Sequence, residues 1–308
     1  MSEVELSAGT VEYQDTGGEG PAIVFSHGLV MDGSLWRDVV ADLRADHRCL
    51  LPTLPLGAHR RPMHPDADLS MRGIAGLIGE FIHRLDLRDV TLAMNDWGGP
   101  LLLLEDGPPE RIGRVVIASC EAFDNVPPGL PGKASLLAGR VPGGIRFAMR
   151  QLRLRPLRRL PMTFGWMAKR PIPDEIMDAW LEPVLGQAEV RRDLRKYVLS
   201  AKEGRRALAA ATERLRDYDR PALVAWASED RVMPPEHGRR LAELLPQGRL
   251  VEIADSYTLI PLDQPGELAA SMREFVRERP RASAGGGSAP PARGRGSTTP
   301  AGRERSLP

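Results

Sequence analysis

Apolar residues recur along this chain in two rhythms. Six short, nearly unbroken runs read as strands buried on both faces: PAIVFSHG (21–28), HRCLLPTLP (47–55), DVTLAMN (89–95), IGRVVIASC (112–120), RPALVAWAS (220–228) and RLVEIADS (249–256). Between them, apolar positions return every three or four residues. SLWRDVVADLRAD (34–46) has that spacing, with Ser34 as its N-cap. In 69–87 the residues Ile74, Leu77, Ile78, Phe81, Ile82 and Leu85 form one helical stripe. Further helices are expected for roughly ten residues after Asp96, over 234–245, and from Pro265 to about Arg279. Buried strands alternating with helices predict an α/β fold with a mostly parallel sheet covered on both faces.

The alternation stops between Phe123 and Asp219. That stretch is helical in pattern and rich in Arg, and it reads as an insertion over the sheet edge where ligands bind. The expected organisation is a core in two parts, 1–122 and 220–279, a helical cap at 123–219, and a basic tail at 280–308. The tail contains SAGGGSAPPARGRGSTTPAG, whose composition cannot bury a core, so it is expected to be disordered. Within the insertion, IRFAMRQLRLRPLRRLP (145–161) reads as cap helix with a solvated basic face.

Composition narrows the function. The 308 residues are 42% apolar and 27% charged, ordinary for a soluble domain. A net charge of +1 argues against a nucleic-acid or membrane partner. No apolar run approaches the ~20 residues of a membrane span. Cys49 and Cys120 lie in apolar runs without disulfide or metal spacing, which points to a reducing compartment and a cytoplasmic location. MSEVELSAGT has neither the basic start nor the apolar core of a signal peptide. No cofactor or metal motif is present, so the expected partner is a small-molecule substrate or ligand.

The candidate chemistry sits in MNDWGGP (94–100). Asp96 falls between a strand and a helix start, at the carboxyl end of a strand. A sharp turn there lifts one side chain above the sheet and faces it with the following N–H groups. The alternative is a simple helix N-cap, for which aspartate is equally suited.

These residues resemble the α/β-hydrolase superfamily, in particular its haloalkane dehalogenase and epoxide hydrolase branch, over most of residues 10–279. Asp96-Trp97-Gly98 is similar to that branch's nucleophile turn, and FSHGLVMDGSLW to its oxyanion turn. The resemblance implies an eight-stranded α/β-hydrolase fold with a cap. It implies Asp96 as nucleophile, with Gly28 and Leu29 shaping the oxyanion site and the Trp97 indole N–H holding a departing halide. ASEDRVMPPEHGRRLAELLP implies Asp230 as the catalytic acid, and SCEAFDNVPP offers Glu121 as a second candidate. His27, Trp36 and Tyr257 fall beside the implied substrate pocket, His27 usually in a structural role.

One departure stands out. The catalytic histidine of the branch would fall on Thr258, in ADSYTLIPLDQP, and no histidine follows His237. His59, in LGAHRRPMHP, is a distant substitute, and His237 reads as solvated. Met94 replaces a small residue two positions before Asp96, where bulk threatens the turn. Aspartate, unlike serine, needs no base to be ionised at neutral pH unless burial raises its pKa. Loss of the base would slow only the second half-reaction, by ~10²–10⁴-fold. Two functions stay open: a slow hydrolase acting on a haloalkane, epoxide or ester, and a non-catalytic small-molecule-binding protein.

Overall fold

The computed structural model describes residues 1–107 and 109–277; the expected basic tail lies outside them. Its strands are β1 (Ser2–Leu6), β2 (Gly9–Asp15), β3 (Ala22–Ser26), β4 (Arg48–Pro52), β5 (Val90–Asp96), β6 (Ile112–Cys120), β7 (Ala222–Ala227) and β8 (Gly248–Ile253). They form one sheet in the order β1-β2-β4-β3-β5-β6-β7-β8. Pairing is antiparallel for β1·β2 and β2·β4 and parallel from β4 to β8. All six apolar runs become strands. The β1–β2 hairpin was not among them, because it sits at the sheet edge with alternating burial and so lacks an unbroken apolar run. β5 and β7 are buried at every residue, as central parallel strands must be.

Helix α1 (Arg37–Leu43) follows a 3₁₀ turn at Gly33–Trp36. The turn is capped by Asp32, not Ser34: the Asp32 carboxylate accepts from the Ser34 N–H at 2.9 Å. Helix α2 (Met71–Arg84) is capped by Ser70 and buries the expected stripe, Ile74 to Ile82. The helix expected after Asp96 is only a six-residue 3₁₀ turn, Gly99–Leu104. Two glycines and a proline open it and Gly107 follows closely, which leaves too little chain for regular α-helix.

The insertion contains α3 (Gly129–Arg140), α4 (Gly144–Gln151), α5 (Asp174–Gly186), α6 (Ala188–Leu199) and α7 (Ala201–Arg214). Helices α3 to α6 form the cap. Helix α7 instead packs on α2 and the Gly99–Leu104 turn, flanking the core, although the sequence assigned all of 123–219 to the cap. Helices α8 (Pro235–Leu244), α9 (Ile260–Asp263) and α10 (Pro265–Arg277) complete the core layers.

Buried polar contacts fix the cap to the core. The Trp180 indole N–H of α5 donates to Asp32 at 3.1 Å and to the Ser34 hydroxyl at 2.8 Å. On α6 the fully buried Asp193 receives the Met63 N–H at 2.9 Å, His59 Nε2 at 3.3 Å and the Arg192 guanidinium at 2.8 Å. His59 Nδ1 accepts from the Gly57 N–H, so Nε2 carries the proton that reaches Asp193. Asp193→Ala would leave these donors buried without an acceptor. The expected cost is about 3 kcal/mol, read as a lowered chemical-denaturation midpoint.

Candidate active site

β5 ends at Asp96 with φ 65°, a left-handed backbone that side-chain-bearing residues rarely adopt. Such strain at a strand end, followed at once by a helical turn, makes a sharp strand-to-helix turn that lifts the side chain above the sheet edge. Glycines make room for it. A Cβ on Gly28 would lie 1.8 Å from Asp96 Oδ2, and one on Gly98 would lie 2.0 Å from the Glu121 carbonyl oxygen. Met94 does not obstruct the turn as its bulk suggested, because its side chain is wholly buried in the core. Asn95 locks the strand end: its Nδ2 donates to Ala118 O at 2.8 Å and to Thr258 O at 2.7 Å.

Three carboxyl groups converge here, all nearly buried. Asp96 is raised to about 7, first by burial and then by the charge of Asp230; a hydrogen bond from the Leu29 N–H opposes both. Asp230 is raised to about 6 by burial, against the stabilising Met233 and Val232 amides and the Thr258 hydroxyl. Its Oδ1 accepts from Val232 N–H at 2.9 Å, Met233 N–H at 2.8 Å and Thr258 Oγ at 2.7 Å, while its Oδ2 has no hydrogen-bond partner. Thr258 thus faces the acid from the position assigned to a histidine. Glu121 is pushed well above the carboxylate range by burial and by Asp96, which favours its protonated form. Among the described residues its carboxyl group accepts one hydrogen bond, from the Gly98 N–H at 3.4 Å, and its own N–H donates to Asp96 O at 3.0 Å.

A cavity of about 300 Å³ lies between this strand edge and the cap. Leu29, Asp96 and Glu121 form its floor, and α3, α4 and residues 157–164 supply an apolar wall with Tyr197 of α6. Asp230, Thr258 and Trp97 are not in the lining, whereas Glu121 is. The Trp97 indole N–H is buried and unpartnered, with the Tyr197 ring edge-on at 6.3 Å. The Trp97 backbone N–H, an expected oxyanion donor, is engaged by Asn95 O at 2.8 Å.

Several assigned pocket residues lie elsewhere. Trp36 donates to Ser26 O at 3.0 Å and packs on Phe25 in the core. His27 Nε2 accepts from the Leu54 N–H at 2.9 Å while Nδ1 contacts Gly28 O, so both ring nitrogens hold backbone. Tyr257 lies under the Arg231 guanidinium, away from the cavity. His59 is committed to Asp193. His237 is half-buried against Phe123 rather than solvated, with its ring edge-on at 5.1 Å. Sequence reasoning missed the cavity wall residues Met149, Gln151 and Phe164, because helical periodicity in the cap marks a buried face without saying what it covers.

A strained acidic turn, a backbone N–H facing it and a covered cavity at the carboxyl ends of a parallel sheet are the features of an α/β-hydrolase fold. The sequence pattern of the alpha/beta hydrolase family matches residues 23–271, and the chain belongs to that family. It is 24% identical over 288 residues to a cis-3-alkyl-4-alkyloxetan-2-one decarboxylase of Xanthomonas campestris pv. campestris, covering 88% of this chain and 93% of that one. It is 25% identical over 283 residues to haloalkane dehalogenase 2 of Mycobacterium tuberculosis, with 88% and 92% covered. Among solved structures, a haloalkane dehalogenase from Bradyrhizobium elkani superposes with TM-score 0.72 at 18% identity, covering 89% of this chain and 96% of that one. An alpha/beta hydrolase fold protein from Burkholderia ambifaria does so with TM-score 0.73 at 19% identity, covering 89% and 97%.

The raised pKa of Asp96 has a stability consequence. Its carboxyl is easier to deprotonate in the unfolded chain, so its contribution is fully present below about pH 4 and is lost as pH rises to about 7. Asp96→Asn removes that penalty. Its stability over wild type should grow from near zero at pH 4 to on the order of 4 kcal/mol above pH 7, measured by denaturant unfolding across pH.

Proposed function

We propose that the protein is a hydrolase in which Asp96 attacks a small apolar electrophile and Glu121 handles the proton. The observation that carries this is the pairing of Asp96, on its strained elbow, with a buried Glu121 on the floor of one apolar cavity. Asp96 Oδ forms a bond to a saturated carbon while that carbon's bond to oxygen or halide breaks. The product is an enzyme ester. An oxygen leaving group takes its proton from Glu121. Water then attacks the ester carbonyl as the Glu121 carboxylate accepts its proton, with the Leu29 N–H facing the developing oxyanion. Collapse releases the alcohol, protonated by Glu121, and the proton left on Asp96 returns to Glu121. A halide leaves without that proton, so with a haloalkane Glu121 first gives its proton to solvent and then accepts one from the attacking water.

The cavity wall suits alkyl-bearing substrates. Haloalkanes, epoxides and strained cyclic esters all fit this chemistry, and the last is the class in the Xanthomonas protein's name. A second reading, ligand binding without turnover, is favoured by the Thr258–Asp230 hydrogen bond, which occupies the acid that would orient a histidine.

Incubation with terminal haloalkanes, epoxides and a β-lactone, followed by intact mass, separates the two. The expected result is an adduct that accumulates in a burst, turns over slowly and is absent in Asp96→Asn. Neither adduct nor product across the panel would favour the binding reading. Because the ionised form attacks, the rate of adduct formation should rise with pH through about 7 and then level. Asp230→Asn removes a neighbouring charge and should shift that rise to lower pH.

Glu121→Gln keeps a hydrogen-bond donor but cannot cycle a proton. It should form the ester and release it at least ~10²-fold more slowly than wild type, seen as a persistent mass adduct. Release at the wild-type rate would assign the base elsewhere.

A further inference from the structure

Residues 125–173 contain ten Lys and Arg and no Asp or Glu, a charge of +10 in a chain whose total is +1. The rest of the molecule therefore carries −9, so the cap is one pole of a strongly polarised protein. Part of that charge is structural. Arg155 and Arg158 pair with Asp174, and Lys169 and Arg170 with Asp255. The side chains of Lys133, Arg140, Arg146, Arg150 and Arg153 make no hydrogen bond or ion pair with any described residue.

Large apolar side chains are exposed among these cations. Leu137 is 64% exposed, Phe147 68%, Leu154 59% and Met162 53%. Of the nine large hydrophobics exposed in the described residues, seven fall within 130–162. Arginine alternating with exposed Leu, Phe and Met is costly in water unless something covers it. The same segment walls the cavity, and Leu160 and Met162 are both exposed and part of its lining, so the surface surrounds a cavity mouth.

We propose that the surface formed by residues 130–162 docks on an anionic lipid bilayer, with Phe147 and Leu154 at the acyl boundary and the free arginines on headgroup phosphates. Basic residues interleaved with aliphatic and aromatic ones are the composition that binds this interface. A second copy of the chain is disfavoured as the occupant, since two surfaces of the same sign would be brought together. Nucleic acid would satisfy the arginines but leave Phe147 and Leu154 uncovered. Docking places the cavity mouth against the membrane, where lipophilic substrates concentrate. The proposal does not depend on the chemistry assigned to Asp96.

Cosedimentation of the full-length protein with phosphatidylglycerol/phosphatidylcholine vesicles, against pure phosphatidylcholine, tests it. Binding is expected to the anionic vesicles and to weaken with salt. Each basic residue contributes roughly five-fold, so Arg140, Arg146, Arg150 and Arg153 all changed to Gln should weaken binding ~100-fold or more. The double variant Phe147→Ser/Leu154→Ser, at surface positions, should keep its thermal midpoint and weaken binding ~10-fold or more. A variant with the five tail arginines changed to Gln should still bind. Equal binding to both vesicle types, or binding that follows the tail and not the cap, overturns the proposal. So does heparin retention together with vesicle binding insensitive to Phe147→Ser/Leu154→Ser, which would identify a polyanion site. A dimer dissolved by those substitutions would identify a second copy instead.

Discussion

The Asp96 carboxyl group is buried at the end of a fully buried strand, and its surroundings are arranged around that burden. Taking a carboxylate out of water is expensive, and the cost appears as a pKa raised to about 7. Asp230 adds repulsion, and only the Leu29 N–H offsets it directly. A relaxed backbone would not aim the side chain into the cavity; the left-handed turn does, and it stays formed because the glycines beside it let the backbones close. Asn95 and Glu121 then tie that turn to β6 and to the segment after β8. Strain, burial and charge at one residue thus account for the local glycines, the polar clamps and the shape of the cavity floor.

Three buried carboxyl groups within one strand edge cannot all be ionised. Asp230 has the most hydrogen-bond donors and the lowest of the raised values. Glu121 accepts a single weak hydrogen bond and is pushed well above the carboxylate range, toward its neutral form. In the reaction proposed above, that division supplies a nucleophile that titrates near neutrality and an acid that gives and reclaims a proton, without a histidine. Thr258 takes part in it by neutral hydrogen bonding, lowering the cost of the charge on Asp230 where an imidazole would have shared its proton.

The cap contributes differently. It is anchored by buried polar contacts, Trp180 to Asp32 and Asp193 to His59, while its outer surface keeps unpaired arginines and exposed apolar side chains. That contrast between a satisfied inner face and an unsatisfied outer one sets the cap apart from the core helices, which expose few large hydrophobics.

The apolar runs were enough to determine a mostly parallel α/β sheet, because central strands such as β5 and β7, buried on both faces, leave a signal that no surface element imitates. The Asp-Trp-Gly-Gly turn and the family to which it belongs were legible for a similar reason: close backbone packing forces glycine at fixed spacing. The β1–β2 hairpin and the short 3₁₀ turn after Asp96 were not, since edge exposure and clustered glycine and proline blur periodicity. Which acid lines the cavity was decided only by tertiary structure. Asp230 and Glu121 are 109 residues apart and both carboxylic acids; they differ in their hydrogen-bond donors, three at Asp230 and one at Glu121, and in which of them lines the cavity. The same holds for His27, Trp36, Tyr257 and His59, whose side chains are committed to partners that sequence spacing does not reveal. A sequence specifies what a residue can do, and the fold decides what it is left free to do.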